Sequence, residues 1–139
     1  MSDSRVEIPG SIYQAFFEKM PVIAFVVDRE RRIVAVTDRL LGGGPNSRDA
    51  LVGRNVFEMF PDNPDDPQAN GTEVLRESLD RAFLTGEVEV LPRQRYDARA
   101  EDGQFVERYW LPENNPVRNA DGDVAFVIHS VVDANAVGH

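Results

Sequence analysis

Near the N-terminus, apolar side chains recur at the spacing of one face of an α-helix. The stripe consists of Ile12, Phe16 and Met20, with Ala15 and Phe17 beside it. Ser11 and Gln14 form a capping-box pattern at its start, and Pro21 stands at its end. The pattern predicts a short amphipathic helix from Ser11 to Met20, whose apolar face needs a partner surface.

Two runs of β-branched apolar residues follow, at positions 22–28 and 33–37. Four charged residues join them, so the two runs predict a β-hairpin. The next region mixes short helical patches with Gly, Pro, Asn and Asp, and from Pro61 to Gly71 we expect only loop. Before that loop, one helical turn is predicted to place three apolar residues on one side: Val56, Phe57 and Phe60.

The longest helical pattern begins after Asn70 and ends at Gly86. Asn70 is a preferred N-cap residue, Glu73 follows three positions later, and a glycine is a common helix terminator. The apolar face of this predicted helix consists of Val74, Leu75, Leu79, Ala82 and Phe83.

The last third of the chain has the pattern of β-strands. Three strand-like segments, 88–100, 104–117 and 123–133, are separated by turns that contain Asp102-Gly103 and Asp121-Gly122. Asp-Gly pairs are strong hairpin signals, so these segments predict an antiparallel meander. With the first hairpin the sheet has five strands. The fold class is therefore α+β: a five-stranded antiparallel sheet with short helices and one longer connecting helix on one face, plus an N-terminal amphipathic helix.

The outer face of this sheet also needs cover. The final strand, which includes AFVIHSVV, is apolar on both faces. Because an exposed apolar face is unfavourable, we expect the N-terminal helix or a second copy of the chain to cover it. We predict a homodimer, and the alternative is a monomer whose own helix folds back over its sheet. The candidate interface residues are Ile12, Phe16, Phe17, Met20 and Trp110.

Composition narrows the function classes. The chain has 139 residues, which suits one domain, and it has no cysteine, which excludes disulfides, thiolate metal sites and thiol catalysis. No apolar run approaches the roughly 20 residues that span a bilayer. The net charge of −9 disfavours direct binding to nucleic acid or to anionic lipid. We expect a cytoplasmic protein without a nucleic-acid or membrane partner.

Several segments resemble the PAS domain, in a bacterial branch often found N-terminal in sensor histidine kinases. The residues that carry the resemblance are MPVIAFVVDRERRIVAV, LVGRNVFEMFPDNP, LRESLDRAFLTGE and RYDARAEDGQFVERYWLPENNPVRNADGDVAFVIHSVVD. It implies a single PAS domain over residues 11–135, with an N-terminal arm at 1–10 and a C-terminal tail at 136–139.

The resemblance implies a sensory or protein-interaction module of bacterial two-component signal transduction. Such a module binds a small molecule or a partner and signals through a dimer interface. It is not an enzyme itself, and it would regulate a histidine kinase in a longer protein or in trans, or another signalling protein. Two alternatives are a redox or gas sensor that holds flavin or haem, and a small enzyme with a catalytic group in a cavity.

Candidate residues for a ligand cavity surround the predicted helices and the last strands. They are Phe57, Met59, Phe60, Leu79, Phe83, Arg95, Tyr96, Tyr109, Asn114 and His129. We interpret Trp110, the single tryptophan, as a packing residue, and a platform for a stacked ligand is the alternative. Tyr109, on the opposite strand face, is expected to reach the cavity.

Specific cofactor and metal chemistry finds little support in the sequence. Val56 stands where flavin photosensors of this family carry a reactive cysteine. His129 is the single histidine within the predicted fold, whereas haem-binding members generally use one near the long helix. The acidic residues of PDNPDDP lack the glycine and the terminal glutamate of a calcium loop. We predict no catalytic residue, no metal site and no cofactor, with an unknown small-molecule ligand.

Overall fold

The computed structural model describes residues 8–42 and 47–134. Most of the predicted N-terminal arm and the predicted C-terminal tail lie outside these ranges. The helices are α1 (Gly10–Lys19), α2 (Asp38–Leu41), α3 (Arg48–Leu51), α4 (Val56–Met59) and α5 (Gly71–Thr85). The strands are β1 (Ile23–Asp28), β2 (Ile33–Val36), β3 (Glu89–Val90), β4 (Gln94–Arg95), β5 (Ala98–Arg99), β6 (Phe105–Val106), β7 (Tyr109–Arg118) and β8 (Val124–Asp133).

The strands form one antiparallel sheet and a separate small hairpin. The sheet has the order β2-β1-β8-β7-β3, and β4 also pairs with β7, so β3 and β4 together make one interrupted edge strand. This arrangement confirms the predicted α+β fold with five strand positions. Strands β5 and β6 pair only with each other.

The prediction of three long uninterrupted strands is wrong for the first two of them. Residues 88–100 form three strands of two residues each. Pro92 has no N–H to offer the ladder and separates β3 from β4, whereas β5 pairs with β6 instead of β7. The second segment is divided by a change of partner, since Phe105–Val106 pairs with β5 and the long strand begins at Tyr109. The two Asp-Gly turns are confirmed, and Gly103 and Gly122 adopt φ values of 85° and 89°.

A single apolar core lies between the sheet and α5. Its fully buried side chains come from both layers: Val27, Ile33, Val36, Leu51, Val56, Leu79 and Val127. We call the sheet face that carries Val27 and Val127 the inner face. The predicted apolar side of α5 is confirmed, because Leu79 and Ala82 are buried and Leu75 and Phe83 pack against the core.

The predicted caps of the two longer helices are wrong in detail. Helix α1 begins at Gly10, after Pro9, and the Gln14 side chain donates to Glu18 Oε2 at 3.2 Å instead of completing a capping box. The Asn70 side chain makes no capping hydrogen bond to α5.

Asp62, in the loop before α5, supplies the cap of this helix. The Thr72 N–H donates to Asp62 Oδ1 at 2.9 Å, so a distant carboxylate satisfies one of the free N–H groups of the first turn.

Helix α1 lies at one edge of the domain and leaves its apolar side chains exposed. Lys19 Nζ pairs with Asp38 Oδ2 at 2.7 Å, and Arg48 Nε lies 3.5 Å from Glu18 Oε2, so ion pairs connect this helix to α2 and α3. No residue of α1 is buried. The exposed apolar residues of α1 are Ile12, Tyr13 and Phe16, and Met20, which follows its last residue, is also exposed.

The opposite, outer face of the sheet is also apolar and open in a single chain. On β8, Val132 is 64% exposed and Phe126 is 38% exposed. Val132 pairs with the exposed Leu111 of β7, and Phe126 pairs with the exposed Val117. Helix α1 contacts α2 and β2, and it leaves this part of the sheet uncovered. Among the described residues, no helix is long and apolar enough to cross a membrane.

Candidate functional site

A cavity of about 460 Å³ lies between the inner face of the sheet and the helices. This volume is within the range of small-molecule sites, roughly 300–1,000 Å³. Strands β1, β7 and β8 line one side, helices α2, α4 and α5 line another, and the β5–β6 hairpin lines a third. Most of the lining is apolar, including Phe25, Leu40, Leu41, Met59, Phe60, Val74, Leu75, Leu91, Phe105, Trp110 and Val131.

A row of stacked rings follows the wall that β1 and β8 form. Phe25 and His129 are directly paired across the two strands, and their ring centroids are 4.9 Å apart. On the other side, the Phe60 ring stacks on Phe25 at 5.7 Å. Because all three residues line the cavity, part of its surface consists of aromatic faces.

His129 is the buried ionisable group of this wall. Its Nδ1 lies 2.7 Å from Asn114 Oδ1 on the neighbouring strand β7. With the Asn114 amide in this orientation, the imidazole hydrogen is on Nδ1 and the Nε2 lone pair is free. Burial lowers the pKa of His129 to about 4, so the ring is neutral at physiological pH.

The other buried polar groups of the cavity wall already have partners within the chain. The Tyr96 hydroxyl donates to the Pro61 carbonyl at 3.0 Å, and Trp110 Nε1 donates to the Tyr96 carbonyl at 2.8 Å. Ser78 Oγ donates to the Leu75 carbonyl at 2.9 Å. Burial also raises the pKa of Tyr96, so its phenol stays protonated. These groups fix the shape of the wall.

Comparison with known proteins identifies the family. The PAS fold family matches residues 17–137, which is most of the chain. The chain belongs to the PAS family. The resemblance that the sequence motifs indicated is therefore confirmed.

Solved structures of PAS domains share this fold at low sequence identity. A sensory box sensor histidine kinase from Vibrio cholerae is 17% identical with a TM-score of 0.60, and the match covers 88% of this chain and 90% of that one. The PAS domain of an HTR-like protein from Haloarcula marismortui is 18% identical with a TM-score of 0.58, covering 88% and 89%.

A third structure is VqmA bound to DPO, which is 17% identical with a TM-score of 0.63. The match covers 88% of this chain and 57% of that one. No curated protein matches the chain by sequence. At these identities the likeness shows the fold alone.

The structure brings four of the ten predicted cavity residues of this PAS domain to the cavity wall. They are Met59, Phe60, Tyr96 and His129. Asn114 is completely buried behind the wall and contacts His129, and Leu79 lies in the core. Phe57 and Phe83 lie under the guanidinium groups of Arg76 and Arg31, at 4.0 and 4.3 Å.

Trp110 and Tyr109 lie on the faces opposite to those expected of them. Trp110 was predicted at the dimer interface, but it alternates with Pro112 and Asn114 on the inner face and lines the cavity. Tyr109 was expected to reach the cavity, but it lies on the outer face and donates its hydroxyl to Glu107 at 2.7 Å. The predicted alternation of side chains along β7 is confirmed. The prediction of which side of β7 faces inward is wrong, because neither side of this strand is cleanly apolar.

Arg95, another predicted cavity residue, belongs to a separate polar cluster. Its Nε and Nη2 donate to the two carboxylate oxygens of Asp97 at 2.9 and 3.1 Å, and Asn63 Nδ2 donates to the same carboxylate at 2.9 Å. The hydrogen bonds from Arg95 hold the pKa of Asp97 below its usual range. The cluster fastens the loop before α5 to the edge of the sheet. No group of residues that could hold a metal ion occurs in the described ranges.

Replacing Gly71 by Ala tests the fit of Tyr96 against the start of α5. A Cβ at this position would lie 2.5 Å from Tyr96 Cδ1, so the buried ring would have to move. We expect a loss of about 1–2 kcal/mol in the free energy of unfolding, because such overpacking outweighs the better helix propensity of Ala. Urea unfolding measures the change.

Gly10→Ala is the matched control, because Gly10 is also the first residue of a helix and no atom lies within 4 Å of its Cβ position. We expect this variant to be as stable as the wild type or slightly more so. Equal effects of the two substitutions would contradict the described contact between Gly71 and Tyr96.

Proposed function

We propose that this PAS domain is a sensory module that binds a small molecule in its inner cavity and signals through a homodimer interface. The observation that supports the proposal most is the open, largely apolar cavity of about 460 Å³. A cavity of this size and composition suits a small ligand, because apolar walls exclude water and a few polar groups give selectivity.

Strands β7 and β8, which line the cavity, also carry the exposed apolar outer face. His129 and Val131 of β8 line the cavity, while Phe126 and Val132 of the same strand are exposed on the other side. A ligand that displaces β8 would therefore change the outer face directly. Binding can shift the balance between two states of the dimer only if the ligand binds one of them better.

A second copy of the chain is the partner that best fits this outer face. Each chain exposes two apolar surfaces, one on α1 and one on the outer face of the sheet. Exposed apolar surfaces of this kind are commonly buried in an interface. In a symmetric dimer, α1 of one copy can cover the sheet of the other, and the same contact forms twice. Burial of both surfaces would then stabilise the assembly.

We further propose that the module acts in a bacterial two-component pathway and regulates a histidine kinase, in the same polypeptide or in trans. The likeness to a sensory box sensor histidine kinase supports this role. The acidic charge of −9 argues against direct contact between this domain and nucleic acid.

Native mass spectrometry of the protein as isolated tests both parts of the proposal. We expect a dimer, and a mass increment on the dimer for any ligand that is retained from expression. A strict monomer at micromolar concentration would contradict the dimer. A visible absorbance band of the purified protein would instead favour the flavin or haem alternative.

Val132→Arg tests whether the outer face forms the dimer interface. Val132 is 64% exposed in the single chain, so an arginine should be tolerated by the monomer. If the outer face is buried against a second copy, the uncompensated charge should raise the dissociation constant by roughly tenfold or more. Sedimentation equilibrium measures the dissociation constant.

Val52→Arg is the matched control, because Val52 is a 39% exposed valine that follows α3 and lies away from the sheet's outer face. We expect the dissociation constant to stay unchanged. If Val132→Arg also leaves it unchanged, the dimer forms elsewhere.

A further inference from the structure

No hydrogen bond joins His129 Nε2, in the cavity wall, to another group in the part of the chain that the structure describes. His129 is only 8% exposed and lines the cavity. Its Nδ1 pairs with Asn114 and its ring stacks on Phe25, which leaves Nε2 without a hydrogen bond. A molecule that donates a hydrogen bond to Nε2 pairs this nitrogen within a largely apolar cavity and gains affinity there.

The arrangement around His129 defines the kind of group that it can bind. Because Nδ1 carries the hydrogen that Asn114 Oδ1 accepts, Nε2 can only accept a hydrogen bond while the ring is neutral. Burial keeps the ring neutral at physiological pH. A hydroxyl group of the ligand can donate to this nitrogen, whereas an ether or a carboxylate has no hydrogen to donate.

The neighbouring walls favour an aromatic body for the ligand. Phe25 and Phe60 present stacked ring faces, and Trp110 lines the cavity from β7. Trp110 Nε1 is already engaged by the Tyr96 carbonyl, so its indole offers a ring surface and no free donor. Aromatic rings pack favourably against such faces by stacking or edge contacts.

On the basis of the proposed sensory function, we propose that the ligand is a neutral aromatic molecule with a hydroxyl group, which donates a hydrogen bond to His129 Nε2. Its ring lies in the apolar part of the cavity, near Phe60 and Trp110. His129 is thus the residue that distinguishes a hydroxylated ring from the same ring without the hydroxyl.

A carboxylate ligand is the competing class, because arginines also line the cavity. Arg39, Arg99 and Arg108 are all exposed, so water already solvates their charges. Salt bridges at exposed positions contribute little. The Nε2 atom of His129, which has no hydrogen bond within the described chain, therefore favours the neutral hydroxylated class, and the carboxylate class becomes an outcome of the test.

Isothermal titration calorimetry of the full chain at neutral pH with three matched probes tests the proposal. The probes are 2-naphthol, 2-methoxynaphthalene and 2-naphthoate, which share one ring system and differ in the polar group. We expect 2-naphthol to bind about tenfold more tightly than either of the others, since it alone donates a hydrogen bond to Nε2.

His129→Phe is the informative variant, since it keeps an aromatic ring and removes the acceptor. We expect the preference for 2-naphthol over 2-methoxynaphthalene to disappear while 2-methoxynaphthalene still binds. His139→Phe is the control, because it makes the same chemical change at the other histidine of the chain. This control should keep the preference. If His129→Phe does not fold, the affinity ratio in the wild type still decides.

Each other outcome has a distinct meaning. Equal affinities for 2-naphthol and 2-methoxynaphthalene would overturn the role of His129 and leave the sensory cavity standing. Tighter binding of 2-naphthoate would also overturn it and would assign recognition to the arginines. Loss of the preference in His139→Phe would overturn the assignment to His129. Absence of binding by all three probes would count against both this ligand class and the proposed cavity function.

Discussion

Leu79→Ala is expected to lower the free energy of unfolding by about 3 kcal/mol. Leu79 is in the middle of α5, its side chain is completely buried, and it packs in the cluster that joins this helix to the sheet. It does not line the inner cavity, so removal of its side chain creates a new void in the core. Urea unfolding followed by far-ultraviolet circular dichroism measures the loss.

Leu84→Ala separates this packing effect from helix propensity. Leu84 is in the same helix and undergoes the same chemical change, but it is 86% exposed. We expect a change within about 0.5 kcal/mol. If the two variants lose equal stability, α5 does not pack against the sheet through the face that contains Leu79.

Acidification is expected to destabilise the protein through His129. Burial lowers the pKa of this histidine from its usual 6.5 to about 4 in the folded chain. Between these values the unfolded chain binds more protons than the folded one, so stability is complete above about pH 6.5 and falls as the pH approaches 4. Each pH unit in this interval corresponds to roughly 1.4 kcal/mol, so the free energy of unfolding falls by about 3 kcal/mol across it.

Urea unfolding across this pH range, at fixed protein concentration, measures the effect. His129→Gln should remove most of the pH dependence because glutamine does not titrate. His139→Gln is the control, since it removes the other histidine of the chain and should keep the dependence. Asp38 and Asp97 have lowered pKa values, so their contribution to stability is lost only below their usual value of 3.8. A flat profile in the wild type would contradict the burial of His129.

The elements with a strong local signal could be predicted from the sequence. The four-residue spacing of apolar side chains identified α5, and the two Asp-Gly pairs identified the turns before β6 and β8. The family resemblance then fixed how these elements are ordered. Local periodicity was sufficient for α5 because this helix has one clearly apolar face.

The interruption of the edge strand was harder to predict. Pro92 occurs within a run of strand-forming residues, and a proline weakens such a run without indicating where the chain resumes its pairing. The cap of α5 escaped prediction for another reason, since Asp62 is ten positions away from the N–H group that it accepts. Contacts of this kind depend on the path of the loop between them.

The inner face of β7 could not be assigned from its own residues. Trp110 and Tyr109 are adjacent aromatic residues on opposite faces, so alternation alone is ambiguous. The pairing of Asn114 with His129 decides between them, because it places Pro112 and Trp110 on the same face as this buried pair. The cavity itself had no sequence signal, since a void depends on how side chains from several elements fail to fill the space.

The separate β5–β6 hairpin has a consequence for how a molecule reaches the cavity. This hairpin lines the cavity but shares no ladder with the five-stranded sheet. Swinging it outward therefore costs few main-chain hydrogen bonds, and the ladders of β1, β7 and β8 stay intact. For a molecule bound as proposed, we expect entry and exit to proceed by local opening of this hairpin, without global unfolding of the domain.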